Sequence, residues 1–210
     1  MVSAAMLYGL LPNSLLLGPR LLIPALEVVL LGLVVRSNPV RLTRETRFSR
    51  IASLGLTGLI ILTNLTALGL LVHDLVSSHV KGGGSLLLAA LQVWATNVIA
   101  FALLYWDLDR GGPVSRSRLP RDRLPLADFR FSHGENRDTV IEVSGGSSQT
   151  SGWIPKFVDY LYVSTTNSSA FSPTDTMPLT SRAKMLMAIQ ATAALLTSLL
   201  VIARAVGSLN

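Results

Sequence analysis

The chain has 210 residues, of which 50% are hydrophobic, 14% are charged and none is cysteine. A soluble domain carries about 25% charged residues, so the apolar residues here exceed what one water-soluble core can hide. The composition therefore indicates a membrane protein. The lack of cysteine excludes disulfide scaffolds, thiolate nucleophiles and cysteine-ligated metals.

Uncharged runs of about twenty residues, the length that crosses about 30 Å of hydrocarbon, predict the membrane spans. The clean runs are Ile51 to Val72, Ser85 to Trp106 and Met185 to Ala203. A fourth run, Leu15 to Val35, contains two prolines and the charged residues Arg20 and Glu27, so its N-terminal third is expected to be kinked or interfacial. The expected fold is all-α, a polytopic membrane helix bundle with four spans.

Basic residues set the expected orientation, because short cytoplasmic loops retain Lys and Arg. Basic clusters lie at 36–50, 110–156 and 182–184, whereas the loop at 73–84 offers only Lys81. All three clusters are cytoplasmic if four spans in the inner (plasma) membrane leave both termini outside. The net charge of +6 then adds an attraction to anionic head groups of the lipid bilayer. No nucleic-acid partner is expected, because no aromatic platform accompanies the arginines.

Composition divides the chain into three regions. Residues 1–106 are predicted to form an N-terminal three-helix membrane region, residues 107–152 a flexible basic cytoplasmic loop, and residues 153–210 a half-helix, a turn and the last membrane span. A loop rich in Gly, Pro and Ser cannot bury enough apolar surface to offset the entropy that is lost when it becomes ordered. A short ordered piece is expected only around 129–143, which includes the strand-like run 139–143. The loop is also the expected contact for a cytoplasmic partner protein.

The segment from Trp153 to Thr180 is too apolar at its start for a free loop and too polar at its end for a span. Apolar side chains at helical spacing after Pro155 predict a half-helix over 156–168, followed by a turn at 172–175. Irregular polar backbone at membrane depth is tolerated only where protein or a water-filled cavity satisfies it. The half-helix is therefore expected to be re-entrant, with an interfacial amphipathic helix as the alternative.

Polar side chains within the apolar regions are the candidate functional groups, with helix fastening as the alternative. Arg20 and Glu27 project from one face of the first span, either as an ion pair or anchor or as part of a solute path. Small and polar stripes run along the helices at Ser53, Thr57 and Asn64, at Gln92 and Thr96, and around Gln190. We interpret the stripes as packing faces, with a water-lined pathway as the alternative, and Tyr105, Trp106 and Trp153 as interfacial anchors. The candidate pore or polar functional residues are Glu27, Ser164, Thr165, Thr166, Asn167, Ser172, Thr174, Asp175 and Gln190.

Three stretches carry a resemblance to known proteins. WDLDRGGP at 106–113 and FVDYLYVSTTNSSAFSPTDTMPLTSRAKMLM at 157–187 are similar to a family of uncharacterised bacterial multi-pass membrane proteins. GPRLLIPALE at 18–27 fits the same family. The resemblance implies membership and topology but no activity.

A weaker similarity is to the pore module of tetrameric potassium channels. The pattern D-x-x-P-x-T-x-x-x-K before the last helix is matched in order and spacing by Asp175, Pro178, Thr180 and Lys184. Where the potassium filter has two glycines, this chain has Ser172 and Thr174, and its basic clusters put the segment on the cytoplasmic side. The similarity therefore implies an inverted or degenerate pore, with hydroxyls and Asp175 as the groups facing a cation.

No catalytic constellation stands out in the sequence. The three histidines have no metal-ligand spacing with carboxylates and no phosphate-cradling glycine motif is present, so neither an enzyme nor a cofactor is expected. Asp107 and Asp109 beside Arg110 are interpreted as an exposed ion pair, with a divalent-ion or head-group site as the alternative. Two functions remain: a channel-like pore-loop protein that must form a homo-oligomer to enclose a pore, and a non-enzymatic membrane scaffold or interaction protein.

Overall fold

The computed structural model describes residues 47–76, 83–132, 153–169 and 176–207. Three long helices form its frame: α1 (Arg47–Val76), α2 (Gly83–Leu108) and α5 (Ser181–Gly207). The stretches long and apolar enough to cross a membrane are Arg50–His73, Leu87–Gly111 and Ser181–Ala203. The three clean spans predicted from the sequence are thereby confirmed as helices of that kind. The fourth predicted span, with Arg20 and Glu27, lies outside the described residues.

Shorter elements lie between α2 and α5. They are a 3-10 turn at Asp109–Gly111, helix α3 (Pro113–Arg118), a second 3-10 turn at Arg121–Arg123, strand β1 (Phe129–Phe131), helix α4 (Phe157–Ser168) and strand β2 (Thr176–Pro178). The two strands pair antiparallel, with Arg130 opposite Met177 at the centre of the register. The described part of the chain is thus mostly helical, with one small two-stranded sheet added to the expected all-α fold.

The region predicted to be a flexible loop at 107–152 differs from the structure in its first half. Residues 107–132 carry the two turns, α3 and β1, and are folded onto the helices. The physical reason is aromatic burial: Phe129 and Phe131 are buried, and both rings pack against Tyr160 of α4. The second half, including the strand-like run 139–143, lies outside the described residues.

The half-helix predicted at 156–168 is present as α4. It begins after Pro155, where the main-chain N–H of Lys156 donates to Asp159 Oδ2 at 2.7 Å and so satisfies a free donor at the helix start. The ring of Phe157 packs edge-on against Trp106, with centroids 5.9 Å apart. At the other end the indole N–H of Trp94 donates to the carbonyl oxygen of Ser168 at 3.3 Å. Helix α4 therefore runs antiparallel along α2.

The bundle buries polar side chains between its helices and turns apolar side chains outward. Buried polar side chains on the predicted stripes are Thr57, Asn64, Gln92, Thr96, Gln190 and Thr197. Apolar side chains exposed on the long helices include Ile51, Leu62, Leu88, Leu91, Leu195, Leu196, Leu199 and Ile202. Apolar surface turned outward, with polar groups between helices, is the arrangement that a hydrocarbon solvent favours. These polar positions therefore lie on packing faces, as expected.

Candidate functional site

A tight reversal of the chain follows the end of α2. Arg110, Gly111 and Gly112 have φ values of 48°, 78° and 97°, which is the left-handed region that favours glycine. A Cβ at Gly111 would lie 3.1 Å from both Pro125 Cγ and Ser115 Oγ, so space as well as conformation favours a glycine there. The reversal turns the chain from α2 into α3.

Asp109 is the centre of a buried cluster at this reversal. Its carboxylate accepts hydrogen bonds from the main-chain N–H groups of Asp128 (2.7 Å) and Phe129 (3.3 Å). The hydroxyl of Tyr160 donates to the same carboxylate at 2.6 Å. One side chain thus joins the end of α2, strand β1 and helix α4.

Asp107 lies two residues earlier and contacts a different neighbour. The hydroxyl of Ser53 on α1 donates to Asp107 Oδ2 at 2.6 Å. The interpretation of Asp107, Asp109 and Arg110 as an exposed ion pair is therefore wrong, because Asp109 is fully buried and both carboxylates accept hydrogen bonds from other elements. The physical reason is that strand β1, from further along the chain, returns to cover the turn.

Asp128 ties β1 to the start of α5. Its carboxylate forms an ion pair with Arg182 and accepts a hydrogen bond from the Thr180 hydroxyl at 2.5 Å. The Thr180 oxygen in turn accepts the main-chain N–H of Ala183 at 3.1 Å, which satisfies a free donor in the first turn of α5. The carbonyl oxygen of Asp128 also accepts the N–H of Leu179 at 2.8 Å. The chain after β2 is therefore fixed at the same end of the bundle as the reversal.

Arg116 is a buried cation in the same cluster. It is 4% exposed, its Nη1 donates to the carbonyl oxygen of Asp109 at 2.6 Å, and its guanidinium carbon lies 5.1 Å from the centroid of the Tyr160 ring. Burial lowers the pKa of Arg116, whereas the nearby Tyr160 and Asp109 oppose that shift. An arginine stays protonated in a protein, so the Arg116 guanidinium keeps its positive charge.

Gln190 is the centre of a second buried network, between α2, α4 and α5. Its Oε1 accepts hydrogen bonds from the Tyr105 hydroxyl (2.6 Å) and from Asn167 Nδ2 (2.9 Å). Its Nε2 donates to the hydroxyls of Ser164 (2.6 Å) and Ser168 (2.8 Å). The Ser164 hydroxyl donates onward to a main-chain carbonyl oxygen of α2 at 2.7 Å. The network fastens α4 to both long helices.

The predicted site residues fall into three groups. Ser164, Asn167 and Gln190 are brought together in the Gln190 network. Thr165 and Thr166 donate to carbonyl oxygens of their own helix, at 2.7 Å and 2.9 Å respectively, and these bonds link no two elements. The predicted residues Glu27, Ser172, Thr174 and Asp175 lie outside the described residues.

Sequence reasoning missed the cluster around Asp109. Asp128, Arg116 and Tyr160 stand in stretches predicted as flexible loop or as half-helix. The sequence points to this end of α2 only through the WDLDRGGP motif and its charged residues, interpreted as an exposed ion pair or as a divalent-ion or head-group site. Tyr105, interpreted as an interfacial anchor, is 1% exposed and donates to Gln190 instead. No local signal marks its burial, because that burial depends on α4 and α5 packing against α2.

Within the described ranges, no group of three or more His, Cys, Asp or Glu side chains is placed to hold a metal ion. Comparison with models of protein families, with curated proteins and with solved structures found no match. A function for this chain therefore has to rest on its own geometry.

Proposed function

We propose that the chain is a non-enzymatic, channel-like pore-loop protein for cations, acting as a homo-oligomer in the inner membrane, with α4 as a re-entrant half-helix. The observation that carries the proposal is the course of α4 along α2. Phe157 packs against Trp106 near the end of a span, whereas Ser168 bonds to Trp94, twelve residues earlier. Twelve helical residues rise about 18 Å, which supports a descent of α4 into the hydrocarbon rather than a course along its surface.

The return of the chain supports the same proposal. Thr176 pairs with Phe131 of β1, and Leu179 bonds to Asp128, next to the end of α2. Residues 170–175 connect the far end of α4 to this point. Polar backbone at membrane depth needs protein or water to satisfy it, so we assign a water-facing role to Ser172, Thr174 and Asp175 in this connection.

The charge pattern favours a cation over an anion. The dipole of a helix places partial negative charge at its C-terminal end, which in α4 is the end at Ser168. Asp175 adds a formal negative charge seven residues later. Both groups attract cations, and the absence of the two filter glycines argues against selectivity of the potassium-channel kind.

Ser164, Asn167 and Gln190 have a positioning role in this proposal. Their hydrogen bonds hold α4 against α2 and α5, so they set where the return segment lies without facing a pathway themselves. Helix α4 begins at the arginine-rich end of α2. Because basic residues are retained in the cytoplasm, α4 would enter the membrane from the cytoplasmic side, and the pore loop would be inverted relative to that of potassium channels.

A second candidate is the non-enzymatic membrane scaffold or interaction protein. The observation that favours it is that the polar side chains of α4 in the Gln190 network are hydrogen-bonded to neighbouring helices. These groups hold the helices together and are not left free to face a pathway. In that case the folded residues 107–132 serve as a rigid platform for a cytoplasmic partner.

The deciding experiment measures potassium efflux from proteoliposomes that hold the full chain, with choline-loaded vesicles as the large-cation control. We expect efflux above that of protein-free vesicles, and a loss of about tenfold in Asp175→Asn, because the pathway loses its formal negative charge. Asp122→Asn, at an exposed position, is the matched control and should conduct like the unmodified chain. Absence of efflux from correctly inserted protein would contradict the pore and favour the scaffold.

A further inference from the structure

A cavity of about 370 Å³ lies at the end of α2, among the reversal, α3, β1 and the residues that precede α4. Its wall carries Arg110, Arg116 and Arg130, and no acidic side chain of the described residues lines it. Much of the remaining wall is apolar, including Trp153 and Leu179. A cleft that combines apolar wall with a few convergent polar groups is typical of a ligand site.

Arg116 lines this cavity and has an unused hydrogen-bond donor. Its Nη1 is engaged by the Asp109 carbonyl oxygen, but its Nη2 is buried and has no hydrogen-bond partner among the described residues. The whole side chain is well buried, since only 4% of the residue is exposed. A buried donor without a hydrogen-bond partner costs free energy of folding, and the cost is greatest when the group is charged. A ligand or a water molecule that accepts the hydrogen bond removes this cost.

Arg110, at the reversal itself, also lines the cavity and has an unused donor. Its left-handed backbone is fixed between Asp109 and the two glycines, and its Nε is likewise buried without a partner in the described part of the chain. The Arg116 guanidinium is held by a carbonyl oxygen of the turn, Arg110 is part of the turn, and both residues line the same cavity, so two guanidinium forks are available to one ligand. Such forks match the oxygen geometry of phosphate better than an ammonium does.

The neighbouring carboxylates do not take up these donors. Asp109 is occupied by the two main-chain N–H groups and by Tyr160, and Asp128 is occupied by Arg182 and Thr180. Asp107, whose charge also acts on Arg116, accepts a hydrogen bond from Ser53. The free donors of Arg116 and Arg110 therefore have no carboxylate partner in the described part of the chain.

We infer that this cavity binds a phosphate-bearing anion, with Arg116 and Arg110 as its ligands and the apolar wall against the uncharged part of the molecule. Its place at the end of a membrane span fits the head group of an anionic phospholipid, and a free phosphate compound offers the same chemistry. This inference does not depend on conduction and so goes beyond the proposed function.

The test uses the full chain purified in an uncharged detergent. Native mass spectrometry titrates dioleoylphosphatidylglycerol, with dioleoylphosphatidylcholine as the zwitterionic lipid of equal chain length and inorganic phosphate as the soluble competitor. Arg110→Asn removes one fork and keeps the turn, because asparagine tolerates the left-handed region. Arg116→Lys keeps the charge and loses the fork. Arg118→Asn, at an exposed position on α3 outside the cavity wall, removes the same charge as Arg110→Asn.

We expect phosphatidylglycerol to bind the unmodified chain and Arg118→Asn alike, and to bind about tenfold more weakly to Arg110→Asn and Arg116→Lys. Millimolar phosphate that binds with the same arginine dependence, while the lipid does not, would assign the cavity to a soluble phosphate compound. Equal binding in all four proteins, or an equal loss in Arg110→Asn and Arg118→Asn, would overturn the site. If the Arg116→Lys protein unfolds at a lower temperature than the unmodified chain, the comparison of Arg110→Asn with Arg118→Asn alone tests the site.

Discussion

Asp109 illustrates how one residue can set the local architecture of this chain. A carboxylate that accepts two main-chain N–H groups and a phenol forms charge-assisted hydrogen bonds, which are roughly twice as strong as neutral ones. Because the donors come from β1, the residue before it and α4, losing the charge affects several segments together. The same residue supplies the carbonyl oxygen that holds Arg116, so the anion cavity depends on it indirectly.

Asp109→Asn should therefore destabilise the protein although the side chain keeps its shape. The neutral amide oxygen accepts weaker hydrogen bonds from the two main-chain N–H groups, and the Tyr160 hydroxyl loses its charged acceptor, so we expect a loss of about 2 kcal/mol in the free energy of unfolding. The midpoint of denaturation in detergent measures the loss. Asp122→Asn, which removes the same charge at an exposed position, should change the midpoint little; equal midpoints for the two variants would contradict the role of Asp109.

The strand pair is the element that fixes where the chain returns after α4. Three residues on each side are too few to form a stable ribbon alone, so the pair depends on the burial of Phe129 and Phe131 and on Asp128. Since β2 leads directly into α5, the pairing also sets the start of the last span.

A cysteine pair tests that pairing in a chain without other cysteines. Arg130 and Met177 are opposite each other and both exposed, so Arg130→Cys with Met177→Cys should form an intramolecular disulfide under mild oxidation. Non-reducing gel mobility and mass spectrometry detect it. Arg130→Cys with Leu179→Cys, two residues out of register, is the control, and faster cross-linking of the control pair would refute the register.

Sequence patterns predicted the long helices and α4 because their signals are local. A run of twenty apolar residues and the helical spacing after Pro155 can both be recognised within the segment itself, without knowledge of distant contacts. The burial of Gln190 was predictable because a polar side chain in an apolar helix is expected to face another helix. The cluster at Asp109 could not be predicted in this way. Its carboxylate is buried only because residues 128–131 fold back against it. The composition of residues 107–132 is typical of a loop and therefore gives no sign that Phe129 and Phe131 are buried and hold this segment in place.

At the scale of the whole molecule, the described residues combine polar contacts between helices with an apolar exterior and one folded basic end. The Gln190 network holds α4 between α2 and α5, and the Asp109 cluster holds the points where α4 begins and where the chain comes back. Together the two networks stabilise one arrangement. The short helix α4 runs along α2, and the chain then returns to the end of α2 at which α4 began.

The most direct test of the proposed descent measures the depth of α4 in the bilayer. Spin labels on single cysteines at Val158 and Tyr162, both exposed and four residues apart on α4, report depth through relaxation by oxygen and by a water-soluble nickel complex. A label at Asp122, a charged and exposed position outside the long helices, gives the water-facing reference. A re-entrant α4 predicts that Tyr162 lies deeper than Val158 by up to about 6 Å, the rise of four helical residues. Equal depths at the two positions would mean an interfacial helix and would contradict the account.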